Sequence, residues 1–394
     1  MDRHQAGSGV TRSPDASIPP HSQGELQGED GMRDALSEMS RRQVMKWAGG
    51  MLGTATLGSA ATVALTSGTA SAAVATSTKF DLTAASSELL REIGLQDVRV
   101  MQSFSFDNTN KHIYTIGLIQ GSRQLPGESR QYTGDERSAN GDLVVTRLDL
   151  TGAEIGRMYL KGFGHGVAIA AEPSGNSAYL WTETDSVAST DSNNVTNGWG
   201  SKIARFKFAN GTVLTNTSWQ LTKFSPVSGA DRTTVAIDPV NSRLAVRYRL
   251  NSTFAFRLYD LATFKSGTFT PLATVTQPTG SAYSDFQGFT SLGQYLYMID
   301  GNAYTYANST TTTPSNPDGN TYITRIDWNT GSVSDRQLTK AAQSLYYREP
   351  EGLAIQIPDT SNTAACRLVM GFASENSATD TDKMASLYYK SSLI

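Results

Sequence analysis

The chain has 394 residues, with 33 Lys+Arg against 36 Asp+Glu, four histidines and one cysteine. Near-balanced charge excludes a protein held on nucleic acid by its global field. The single cysteine, Cys366, excludes an internal disulfide framework and a thiolate-rich zinc site.

Residues 1–39 are rich in Ser, Pro, Gly and charge and show no apolar periodicity, so disorder is expected there. Ser40-Arg41-Arg42-Gln43-Val44-Met45-Lys46 precedes a mildly apolar Gly/Ala/Thr run from Trp47 to about Leu65, and Ala70-Ser71-Ala72 is a small-x-small cleavage site. Twin arginines, a weakly hydrophobic segment and that site read as a twin-arginine (Tat) signal peptide over 40–72. The expectation is a secreted, extracellular protein that meets the twin-arginine translocase during export and keeps no stable membrane span. Cleavage after Ala72 removes His4 and His21 and leaves His112 and His165, too few for a multi-histidine metal site.

Residues 84–93 predict one short helix in an N-terminal extension, 73–96. From 97 to 394 short β-branched and aromatic runs alternate with turn signals such as Asn210-Gly211 and Thr330-Gly331, which excludes a helical or α/β domain. Two markers repeat along this stretch. One is a basic residue inside an apolar strand, at Arg147, Arg205, Arg257 and Arg325, with a weaker copy at Ser386-Leu387. The other is a polar residue followed by a small or hydroxylated one, at Gln102, His165, Thr233, Gln287 and Glu351, spaced by 63, 68, 54 and 64 residues. Five copies of about 60 residues predict an all-β fold, a single five-bladed β-propeller with one four-stranded antiparallel sheet per blade.

Innermost strands crowd around the axis of such a ring, which explains the small residues. The polar residue before each of them then faces the channel mouth. Gln102, Arg232, Thr233, Gln287 and Glu349 are the candidate ligand-binding residues, and His165, Tyr283, Arg348 and Glu351 the candidate catalytic ones. Three readings stay open. The ring is a passive polar channel whose residues satisfy one another and ordered water. It binds an anionic glycopolymer, with Arg232 and Arg348 as forks. Or it also cleaves that polymer: as a lyase with His165 as base, Tyr283 or Tyr347 as acid and Arg348 as neutraliser, or as a hydrolase pairing Asp285 with Glu349 or Glu351. No cofactor is required, and a calcium ion on Glu351 and amide oxygens is an option.

The loop from Trp181-Thr182-Glu183-Thr184-Asp185 to Gly198-Trp199-Gly200 is expected to overhang the mouth, and the charged loop Gly121–Asn140 to offer glycan contacts. The tract Asn308–Asn320 reads as a surface loop and Cys366 as a small core residue.

Met158-Tyr159-Leu160-Lys161-Gly162-Phe163-Gly164-His165-Gly166-Val167, Leu180-Trp181-Thr182-Glu183 and Gly200-Ser201-Lys202-Ile203-Ala204-Arg205-Phe206 resemble the teichoic acid biosynthesis protein C family. The pattern is also similar to the receptor-binding propeller of phage baseplate proteins that attach to Gram-positive walls. Gln287-Gly288-Phe289 and Arg348-Glu349-Pro350-Glu351-Gly352-Leu353 follow it too, so the resemblance spans about residues 95–390. It implies a five-bladed propeller associated with anionic wall polymers and says little about chemistry.

Overall fold

The structure, a computed structural model, describes residues 73–304, 319–377, 379–380 and 382–394. The expected disordered leader, the expected twin-arginine signal and residues 308–318 of the surface tract lie outside the described residues.

Five antiparallel sheets make five blades in a ring. Blade one is β2 (Met101–Asp107), β3 (His112–Leu118), β4 (Leu143–Leu148) and β5 (Glu154–Lys161). Blade two is β6 (Ala170–Ser174), β7 (Ser177–Thr190), β8 (Thr196–Lys207) and β10 (Thr222–Phe224). Between the last two, β9 (Val213–Thr215) crosses over and pairs in parallel with the outer edge of β5. Blade three is β11 (Asp231–Asp238), β12 (Arg243–Leu250), β13 (Thr253–Asp260) and β14 (Ala273–Thr276). Blade four is β15 (Phe286–Leu292), β16 (Tyr295–Asp300), β17 (Tyr322–Asp327) and β18 (Val333–Leu338).

Blade five takes β19 (Tyr346–Gln356), β20 (Arg367–Glu375) and β21 (Met384–Lys390) from the C-terminal end, and β1 (Ser87–Gly94) supplies its outermost strand. The expected helix over 84–93 is therefore a strand, and the extension 73–96 is part of the propeller. Pairing decides this against local preference: without β1 the edge of β21 would be bare, and Leu90 and Ile93 pack into the cluster between blades five and one. Phe80 reinforces the closure, its N–H donating to the Tyr297 hydroxyl at 3.0 Å and its carbonyl accepting from Arg325 at 2.8 Å.

The core is five apolar layers, one between each pair of neighbouring blades. Alternation along each strand creates them. On β20, Leu368, Met370 and Phe372 face blade four while Val369 faces blade one. Each fully buried side chain of this size contributes about 1.5–3 kcal/mol, so the ring is held by its blade-to-blade faces as well as by the sheets. Cys366 lies in the layer between blades four and five, with its thiol pushed up to about 11 by burial.

The basic marker falls on the third strand of four blades, at Arg147, Arg205, Arg257 and Arg325, and its weak fifth copy on β21. Each arginine covers an aromatic ring with its guanidinium: Arg205 lies 3.5 Å over Tyr179 and Arg325 5.5 Å over Tyr295.

Two short helices sit on the rim. α1 (Gly134–Asn140) carries a capping box between Thr133 and Glu136, and α2 (Leu261–Lys265) is capped by Asp260. Among the described residues no helix is long and apolar enough to cross a membrane.

Candidate functional site

The five ring positions gather at one end of the axis because the residues after them hold neighbouring blades together. Ser103 Oγ donates to the Gly166 carbonyl at 2.9 Å, and Thr234 Oγ1 to the Ala168 carbonyl at 3.2 Å. A Cβ on Gly288 would meet the Gly352 Cα at 2.6 Å, and one on Gly352 the Ser103 Cα at 3.2 Å. Only glycine allows that approach, and Gly352 also has a φ of 97°. Farther along the innermost strands the channel is narrow and lined by residues including Ser105, Asn108, Ala171, Ala236, Thr290 and Ala354.

A bulge marks four of the ring positions. Pairing slips between Met101 and Ser103, Asp231 and Thr234, Phe286 and Gly288, and Pro350 and Leu353. Gln102, Thr233, Gln287 and Glu351 each lie inside one of these slips, where an extra residue leaves the ladder and its side chain is re-aimed.

His165 is held differently. It precedes β6 in a loop whose N–H groups converge on the Glu183 carboxylate. Oε1 accepts from His165 at 2.8 Å, Gly166 at 2.7 Å and Val167 at 3.4 Å, and Oε2 accepts from Gly200 at 2.6 Å. Burial pushes the Glu183 carboxyl up, against these four donors. A Cβ at Gly164 would strike Glu183 at 2.3 Å. Much of the motif behind the family resemblance is thus a structural lock. The expected loop from Trp181 to Gly200 is continuous β-hairpin, paired from Tyr179–Lys207 out to Thr190–Thr196. This pairing satisfies backbone groups that a loop would leave to water.

The hairpin carries Trp199 to the site. His165 stacks on the half-buried Trp199 indole, ring centroids 4.5 Å apart, and the Arg232 guanidinium lies 4.2 Å over the same ring. Arg232 sits in the blade-three bulge with a φ of 50°, a left-handed conformation uncommon for a side-chain-bearing residue. Burial lowers its pKa to about 10, aided by Arg249 and opposed by Asp231 and Glu183. Among the described residues Arg232 Nε and the Thr233 hydroxyl are buried without a hydrogen-bond partner.

Arg348 does not join this cluster. It is 1% exposed, and its guanidinium donates to the carbonyls of Ala341 at 2.7 Å and Thr339 at 3.0 Å and to Thr321 Oγ1 at 2.8 Å. Burial lowers its pKa to about 9. Its donors are spent on the seam between blades four and five, so the expected fork and charge neutraliser is a structural cross-link. Arg247 is the arginine that accompanies Arg232, and its signal in the sequence is the alternating Arg247-Tyr248-Arg249 on a second strand.

The remaining candidates are packed deeply. Glu351 is 2% exposed, Asp285 5% and Glu349 8%. Gln287 donates to the Gly301 carbonyl at 3.0 Å. Gln102 reaches the Val100 carbonyl at 3.4 Å. Tyr283 is half-buried beneath the Arg336 guanidinium, 4.3 Å from its ring, and Lys383 lies 4.3 Å over the Tyr347 ring. Among the described residues no three His, Cys, Asp or Glu side chains form a metal-ligand group.

The charged loop Gly121–Asn140 is largely neutralised by carboxylates within it and beside it. Arg137 is fully buried against Glu128 at 2.6 Å and Asp142 at 2.9 Å, and Arg123 pairs with Asp97 at 2.6 Å. Its arginines hold the loop down, and only the Arg130–Glu136 pair is well exposed.

Comparison with known proteins agrees with this architecture. The chain is 28% identical over 306 residues to a Bacillus subtilis (strain 168) protein provisionally named major teichoic acid biosynthesis protein C, matching 75% of this chain and 61% of that one. The tail fibre of Staphylococcus aureus phage P68 superposes with a TM-score of 0.57 at 16% identity, over 78% of this chain and 53% of that one, a likeness of fold. The chain therefore spans between half and two thirds of the length of both proteins. Residues 100–388 match the family described as the phage five-bladed β-propeller receptor-binding platform domain, and the chain belongs to that family.

Proposed function

We propose that this protein is an exported receptor-type propeller that binds an anionic extracellular or cell-wall glycopolymer, teichoic-acid-like or uronate-containing, at the polar end of its channel. The observation that carries the reading is the half-buried Trp199, stacked with His165 and covered by Arg232. An indole offers a flat apolar face to a sugar or polyol, and a guanidinium beside it attracts the anionic group of the same repeat unit. The receptor-binding description of the family and the teichoic-acid name of the Bacillus subtilis relative support the same ligand class. The twin-arginine sequence supports delivery outside the cell.

The test is retention of residues 73–394 on Gram-positive cell walls before and after extraction of their anionic polymers. Retention lost on extraction, with no new reducing or unsaturated ends released, is the expected result. Absence of retention on walls and on purified teichoic and uronate polymers would remove the proposal.

A further inference from the structure

We infer that Arg232 and Arg247, with Arg249 at the rim and Thr233 between the strands, form a subsite for one phosphodiester group of the bound polymer. This rests on the glycopolymer reading and assigns the chemistry of its anchor point.

The residues come from two neighbouring strands. Thr234 on β11 pairs with Arg247 on β12, and Asp231 pairs with Arg249. Arg247 and Arg249 are two apart and share a face of β12. Arg232 and Thr233 occupy the bulge opposite, which turns them out of the ladder.

Arg247 is 5% exposed. Its guanidinium lies between the rings of Phe254 and Phe286, 3.8 Å from each centroid, and its Nε donates to Gln277 Oε1 at 2.7 Å. Among the described residues its terminal nitrogens have no hydrogen-bond partner and no carboxylate. The nearby carboxylates are engaged elsewhere. Asp231 chelates Arg249, with Nε to Oδ1 at 2.8 Å. Glu183 receives its four backbone N–H groups and reaches Arg232 and Arg247 only through its field.

A buried cation without a counter-ion is costly, and a bound anion would offset that cost. Burial and then the neighbouring Arg232 lower the Arg247 pKa well below its ordinary value, consistent with a site built for negative charge. Thr233 Oγ1, buried and without a partner, adds a neutral donor. A phosphodiester fits better than a carboxylate on two counts. Its charge is spread over a larger anion, so less hydration is lost beside the rings of Phe254, Phe286 and Trp199. Its two non-bridging oxygens project in different directions and can meet guanidiniums from two strands, whereas a carboxylate suits one planar fork.

The experiment titrates residues 73–394 with a synthetic glycerol-phosphate hexamer and, separately, with a galacturonate hexamer. Binding is followed by calorimetry and by the arginine Nε–Hε resonances. The expected result is a shift of the Arg232 and Arg247 resonances with the phosphodiester, and affinity lower by about tenfold or more in Arg247→Gln and in Arg232→Gln, the scale of a lost charge-assisted hydrogen bond. Thr233→Val, which keeps the shape of the buried side chain, is expected to weaken binding severalfold while remaining folded. If the wild-type protein is retained on walls but the hexamer moves neither arginine, the subsite is wrong and the glycopolymer reading stands. If the hexamer moves both arginines but walls do not retain the protein, the subsite stands and the wall-receptor reading falls. Equal or tighter binding of galacturonate at these arginines overturns the phosphodiester assignment.

Discussion

The Glu183 carboxylate accepts the backbone N–H of His165 at 2.8 Å. Through this bond and its three companions, a residue on the second strand of blade two sets the position of a buried ring residue. The histidine is thus placed by the hairpin that also delivers Trp199. Removing the acceptor should disturb both at once. Glu183→Ala is expected to cost about 3–5 kcal/mol, since four buried donors lose their partner. Denaturant unfolding measures the loss, and an unchanged midpoint would show that the lock is dispensable.

Trp199 is half-buried and lies outside the apolar layers between the blades. Trp199→Ala removes the His165 stack and the Arg232 cation–π contact, about 0.5–2 kcal/mol each, so it should lower the unfolding midpoint modestly, and it should lower retention of the folded protein on walls by about tenfold. Trp199→Phe should recover part of it. Parent-like retention in Trp199→Ala would move the binding site elsewhere.

Arg348 gives the opposite pattern. Arg348→Met keeps the side-chain stem but leaves the carbonyls of Ala341 and Thr339 without their donors. A loss of about 2–4 kcal/mol in stability is expected, with polymer affinity of the folded protein unchanged. A selective loss of affinity at full stability would return Arg348 to the site.

Ring closure by β1 predicts the result of truncation. A chain starting at residue 97, where the repeats begin, lacks β1 and the Phe80 contacts that join blade four to the closure. It should expose the β21 edge and associate into larger species on size-exclusion chromatography, with a lowered thermal midpoint. Residues 73–394 should elute as a discrete species. Equal behaviour of the two would show that β1 is an accessory.

The loop over α1 predicts a pH effect. Burial opposes ionisation of Glu128, but hydrogen bonds from Arg137, Lys161 and the Leu125 N–H outweigh it and hold the group down to about 2. Its folded pKa is below its ordinary value of 4.5, so the contribution to stability is complete above that pH and lost as pH falls toward about 2. Glu128→Gln should lower the thermal midpoint at pH 7, and the gap to the parent should narrow at pH 3. A constant gap would mean that the ion pairs contribute nothing net.

What the sequence determined by itself is the ring. Polar–small pairs at Gln102, His165, Thr233, Gln287 and Glu351, and arginines at Arg147, Arg205, Arg257 and Arg325, recur because each blade must solve the same packing problem at its inner edge and third strand. Repetition is visible in one dimension. Three things were decided only by tertiary structure. Ser87–Gly94 became a strand because the open edge of β21 had to be paired, a need created almost 300 residues away. Arg348 is taken up by the seam, and Arg247 lies beside Arg232 instead, because the accessibility of a guanidinium depends on which carbonyls and rings surround it, and those come from other strands and other blades. Glu183 became the clamp on His165 because a long hairpin folds back over the loop of its own blade. Spacing along the chain carries periodic packing, whereas the partners of a charged group are set by the closed ring.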